Sequence, residues 1–92
     1  MSWLSKLFGG GAEPAGPSFP AEEHAGFTVT PAPVADGGKW RVGAVIEKEV
    51  GGEPKTHRMI RADTLESAEA AAAASLAKAR MLIDQQGERL FD

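Results

Sequence analysis

The feature that most constrains this chain is one stripe of small and branched apolar residues near its C-terminus. Leu65, Ala68, Ala72, Leu76, Ala79, Ile83 and Leu90 recur at spacings of 3, 4, 4, 3, 4 and 7, the repeat of a single helix face. Ala70–Ala74 form an unbroken run inside it. Alanine favours helix intrinsically, and its small side chain lets a helix axis lie close to a flat partner. No second long segment shows the helical period, so the partner layer must be a sheet.

Three runs upstream supply that sheet. Phe27 and Val29 alternate with Thr28 and Thr30, the period of a half-buried strand. Pro31 and Pro33 cannot donate to a ladder, which keeps this strand short and at an edge. Asp36-Gly37-Gly38 is a hairpin signal, because glycine adopts positive φ at little cost. From Trp40 to Val50 one face carries Trp40, Val42, Ala44 and Ile46, the other Arg41, Gly43, Val45, Glu47 and Glu49. Gly51-Gly52 turns the chain into a third strand, Thr56–Ala62. Its alternation sets Arg58, Ile60 and Ala62 against His57, Met59 and Arg61, with Met59 and Val45 expected on the face away from the helix.

Asp63 or Ser67 caps the helix, with Glu66 at capping-box spacing from Asp63, and Gly87 closes it in a left-handed conformation. A helix over 64–86 spans roughly 34 Å, longer than strands of about 20 Å cover. The stretch from Leu82 to Phe91 is thus expected to seek a partner. The predicted fold is α+β: a three-stranded antiparallel meander packed against one long C-terminal helix, in the order β-β-β-α, over residues 27–92.

Glycine and proline number 17 in the 92 residues, and 12 of them precede Lys39. Residues 9–26 read as a Gly/Pro-rich linker, since such a composition resists both helix and ladder. Ahead of it, residues 1–8 form a short apolar tip. Trp3, Leu4, Leu7 and Phe8 fall on one side of a helix and make a candidate protein-docking element. The tip lacks the long apolar core and small-residue cleavage site of a secretion signal, so the expected compartment is the cytoplasm. No apolar run approaches the ~18 residues of a membrane span.

Ten basic against thirteen acidic residues give a net charge of −3, which argues against a strongly cationic nucleic-acid or membrane binder. Cysteine is absent, and with it disulfides, thiolate nucleophiles and cysteine-based metal sites. His24 and His57 are the only histidines, too few and too far apart for a metal centre. A triad drawn from Ser67, His57 and Asp63 has no nucleophile elbow around it. The glycine pairs lie between strands, where they make turns rather than phosphate cradles. No catalytic residue, cofactor, metal or small-molecule substrate is therefore expected, and the chain reads as non-enzymatic. Lys55, Arg58 and Arg61 form a basic cluster on the third strand that could contact phosphates, although Glu47 and Glu49 next door are expected to pair with it. Val45, Met59 and the surplus helix suggest a homodimer.

Several strings carry a family resemblance: Phe27-Thr-Val-Thr-Pro-Ala-Pro33, Gly37-Gly-Lys-Trp-Arg-Val42, His57-Arg-Met-Ile-Arg-Ala-Asp-Thr64, Leu82-Ile-Asp-Gln-Gln-Gly-Glu-Arg-Leu-Phe91 and the opening Met1-Ser-Trp-Leu-Ser-Lys-Leu-Phe8. Together they resemble a small bacterial family of HlyU transcriptional activators over nearly the whole chain. The resemblance implies positive regulation of haemolysin-type gene expression. The best-known activator of that name is similar to winged-helix repressors. This chain has neither a second recognition helix nor a wing, so no DNA-contact residue carries over. The alternative expectation is a small protein–protein interaction module.

Overall fold

A computed structural model describes residues 18–92. The apolar tip with Trp3, Leu4, Leu7 and Phe8, and the linker up to residue 17, lie outside the described residues.

Among the described residues five strands precede the helix: β1 (Glu22–His24), β2 (Phe27–Pro31), β3 (Val34–Asp36), β4 (Lys39–Val50) and β5 (Glu53–Leu65). All pair antiparallel in one sheet, with β4 at its centre. Three two-residue turns join β1 to β2, β3 to β4 and β4 to β5. Both turn residues have positive φ in each: 53° and 85° at Ala25-Gly26, 57° and 88° at Gly37-Gly38, 60° and 83° at Gly51-Gly52. Such turns carry the right-handed twist that adjoining strands need.

The sheet corrects the expected count of three strands to five, for two reasons. First, β2 and β3 are one strand interrupted. Thr28↔Glu47 through Pro31↔Ala44, and Val34↔Arg41 through Asp36↔Lys39, keep a single register along β4. The two prolines remove ladder donors between them, yet the Ala32 amide still reaches the Gly43 carbonyl at 2.8 Å. Second, β1 pairs with β2, from Glu22↔Val29 to His24↔Phe27. Local propensity gives no hint of β1. Its side chains hold it instead: Arg80 donates to Glu22 at 2.6 Å, and His24 Nε2 lies 2.8 Å from Asp84 Oδ1.

The third strand is longer than expected and opposite in phase. Gly51-Gly52 pairs Val50 with Glu53, and that register carries Met59 opposite Ala44. Ala44 faces the helix, so Met59 does too. It is buried in the core while Ile60 stands 52% exposed. Val45 lies on the far face as expected, but Met59 does not join it.

The helix α1 (Ala68–Gln86) begins at the later of the two predicted caps. Ser67 is extended, and its hydroxyl accepts from the Ala70 amide at 3.0 Å. The strand claims the residues before it, because Thr64 and Leu65 still pair with Arg41 and Trp40. Lys39 donates to Glu66 at 2.8 Å, tying the helix start to β4. That hydrogen bond, reinforced by the lysine's charge, lowers the Glu66 carboxyl below its usual range. Gly87 closes the helix at φ 57°, its amide donating to the Ile83 carbonyl.

A short 3-10 helix, η1 (Gly87–Phe91), then folds back. Leu90 is buried with Phe27, Val29, Val42, Ala44, Ile46, Met59, Ala79 and Ile83. Phe91 stacks on Phe27 with ring centroids 5.9 Å apart, and Lys48 sits over the Phe27 ring while donating to Glu88 at 2.8 Å. The expected surplus of helix does not arise. Nineteen residues span about 28 Å, against about 40 Å for the twelve of β4, and the tail is spent on this protein's own core.

Candidate interaction surface

The most distinctive local chemistry sits where β4, β5 and α1 meet. Arg41 pairs with Thr64 and Gly43 with Ile60, so a single β4 residue, Val42, faces Arg61, Ala62 and Asp63 on β5. Extra residues in one strand bend it and re-aim its side chains. Gly43 is needed here, since a Cβ would fall 2.8 Å from the Ala32 carbonyl oxygen. Its amide leaves the ladder and donates to the Ser75 hydroxyl at 3.0 Å, and that hydroxyl donates to the Ala71 carbonyl at 2.6 Å. Ser75, Ala71 and Ala72 are all buried. The small stripe thus lets the helix come close enough for one hydroxyl to bridge the layers.

Beyond this junction β5 is the margin of the sheet. It pairs with β4 on one side, and no strand lies on its other side among the described residues. Between that margin and the helix runs a shallow groove of about 120 Å³ lined by Arg61, Lys78, Met81, Leu82 and Gln85. Met81 is 57% exposed, and with Ile60 it makes two of the three exposed large apolar side chains among the described residues.

The structure separates the predicted basic cluster. Arg58 pairs with Val45 and so lies on the far face. Arg61 lines the groove on the helix side. Lys55 lies on the helix side too, opposite Lys48, and six residues from Arg61, about 20 Å along a strand. Lys55 is 3.6 Å from Glu53, and Lys78 is 3.5 Å from Asp63. Lys39, Arg41, Lys48 and Arg80 are likewise engaged with carboxylates. Arg58 and Arg61 have no carboxylate within ion-pair distance among the described residues. Glu47 and Glu49 do not hold them.

Glu47 is instead buried on the far face, with both carboxylate oxygens lacking a hydrogen-bond partner among the described residues. Burial pushes its carboxyl above the usual range. Ser67 is committed to its cap, Asp63 to Lys78, and His24 to Asp84. Among the described residues no three His, Asp or Glu side chains converge as metal ligands, and no helix is long and apolar enough to cross a membrane.

The residues that sequence reasoning missed are Lys78, Met81 and Gln85. Their signal was weak: an exposed methionine on the polar side of a helix, one turn from a lysine. Leu82, expected at the start of a surplus tail, lines the groove instead.

The profile of a family described as Transcriptional activator HlyU matches residues 2–91. No curated protein and no solved structure matches the chain.

Proposed function

Since the chain belongs to the family of the transcriptional activator HlyU, we propose that it activates transcription, of haemolysin-type genes as the family implies, through a protein partner in the cytoplasm. It does so without placing a helix in a DNA groove and without catalysis of its own. One observation carries this reading, the state of α1. Its apolar stripe is buried against the sheet, and its cations, Lys78 and Arg80, face Asp63 and Glu22. A recognition helix needs free donors for base edges and phosphates. Here the exposed positions are Glu69, Ala70, Ala73, Ala77, Met81, Asp84, Gln85 and Gln86, with two amides at the C-terminal end and no cation among them. The division of Lys55, Arg58 and Arg61 between two faces also counts against a phosphate-binding patch. The engaged states of Ser67, Asp63 and His24 support a non-enzymatic role.

A salt titration against duplex DNA tests this. Phosphate contacts would give a slope of about −0.9 per contact in log affinity against log salt. The expected result is no measurable binding at about 50 mM salt. Tight binding with a steep slope would overturn the reading.

A further inference from the structure

We propose that the open margin of β5, with the groove beside it, receives an extended acidic segment of a protein partner as a sixth strand. This rests on the partner-mediated reading above and names the site and the partner's chemistry.

Strand addition needs a long free margin, because main-chain hydrogen bonds supply the affinity and alternate side chains the specificity. β5 offers thirteen residues, of which Glu53–Ile60 run in one unbroken register before the bend at Arg61–Asp63. Side chains of an added strand alternate between two faces. On the helix side they meet Arg61, Lys78, Met81 and Leu82 in the groove. On the far side they meet Arg58 and Ile60. Each face therefore presents a guanidinium without a carboxylate partner among the described residues, next to exposed apolar surface. Asp63 leaves the groove with a net positive balance, as it answers Lys78 alone.

Charge selects the occupant. A second copy pairing antiparallel about Arg58, the centre of the basic stretch, would set Arg58 against its own copy and Lys55 against Arg61, and like charges directly opposite destabilise that register. The β5 of a second copy answers at most one of the two arginines with a carboxylate, as when Glu53 faces Arg61 in the register centred on His57. A nucleic-acid backbone has no amide pattern to match a strand margin, and the two guanidiniums stand on opposite faces of it. An acidic extended peptide satisfies the backbone and both arginines at once. Charge on a margin also guards against unwanted pairing. That role alone does not call for Ile60 and Met81 to be exposed beside it.

The full chain, labelled with nitrogen-15, is titrated with a capped eight-residue peptide alternating glutamate and valine. Two twins accompany it, one with lysine for glutamate and one with a central proline, together with a DNA duplex of about 20 base pairs. The expected result is that alternate amides within Glu53–Leu65 shift and gain exchange protection with the glutamate peptide alone. The double variant Arg58→Glu, Arg61→Glu then lowers affinity roughly tenfold or more, while Arg89→Glu, at another arginine without an ion pair among the described residues, leaves it unchanged. Shifts mapping away from β5, equal binding of either twin, or no binding at about 1 mM peptide would overturn the proposal. Binding to the duplex in place of the peptide would overturn the partner-mediated reading as well, whereas silence from both probes sinks only the strand-addition site.

Discussion

Replacing Ser75 by alanine isolates the bridge between helix and sheet. The hydroxyl accepts from the buried Gly43 amide at 3.0 Å. The Ala71 carbonyl keeps the helical bond from the residue-75 amide, so the substitution orphans one donor and no acceptor. Leaving a buried amide unsatisfied costs about 1–3 kcal/mol. Alanine returns up to about 0.5 kcal/mol as the better helix former. The net loss is about 1–2 kcal/mol. In urea, with a slope of about 1 kcal/mol/M for so small a domain, the midpoint falls by about 1–2 M, and Tm by roughly 5–12 °C. Ala73→Ser, on the exposed side of the same helix, reports the propensity effect alone. Amide exchange supplies the site-specific readout, since the Gly43 proton should exchange faster in Ser75→Ala beyond what global stability explains. A variant as stable as the parent, with Gly43 exchange unchanged, would refute the bridge.

Two further substitutions probe the remaining unusual features. Glu47 is buried with its carboxyl raised, so its charged form penalises the fold. The penalty is absent below the unfolded pKa and complete above the raised folded pKa, so Glu47→Gln should stabilise near neutral pH by about 1 kcal/mol and lose that gain below about pH 4. Equal stabilisation at both pH values in paired urea titrations would show that charge is not the cause. Leu90→Ala empties a buried site in the folded-back tail and should cost about 2–3 kcal/mol by thermal melting. A change within about 0.5 kcal/mol would mean that the tail does not seal the core.

Much of this fold is legible in short stretches. The paired glycines mark the two hairpins around β4, Ser67 and Gly87 bracket the helix, and the spacing from Ala68 to Ile83 identifies its buried face. The phase of Met59 is set by the turn rather than by local alternation. A two-residue turn at Gly51-Gly52 dictates Val50↔Glu53, and counting from there puts Met59 across from Ala44. The two extra residues at Arg61–Asp63 preserve that parity, so Leu65 returns to the same face as Trp40. Other elements have no local signature. β1 is held by Glu22 and His24 reaching Arg80 and Asp84, 58 and 60 residues away. The tail folds back because Phe27 presents a ring for Phe91. As for the candidate surface, Arg58 and Arg61 stand out in the sequence, but the groove combines them with helix residues that only tertiary structure brings near.

The two borders of the sheet differ, and the difference governs how molecules of this protein can stick together when crowded. One border is stubbed by Pro31 and Pro33 and partly covered by three-residue β1. Among the described residues β5 is the long margin through which two molecules can pair, whereas the opposite border offers only the three-residue segments β1 and β3. Accidental stacking is thereby biased towards pairs joined along β5 rather than towards long fibres.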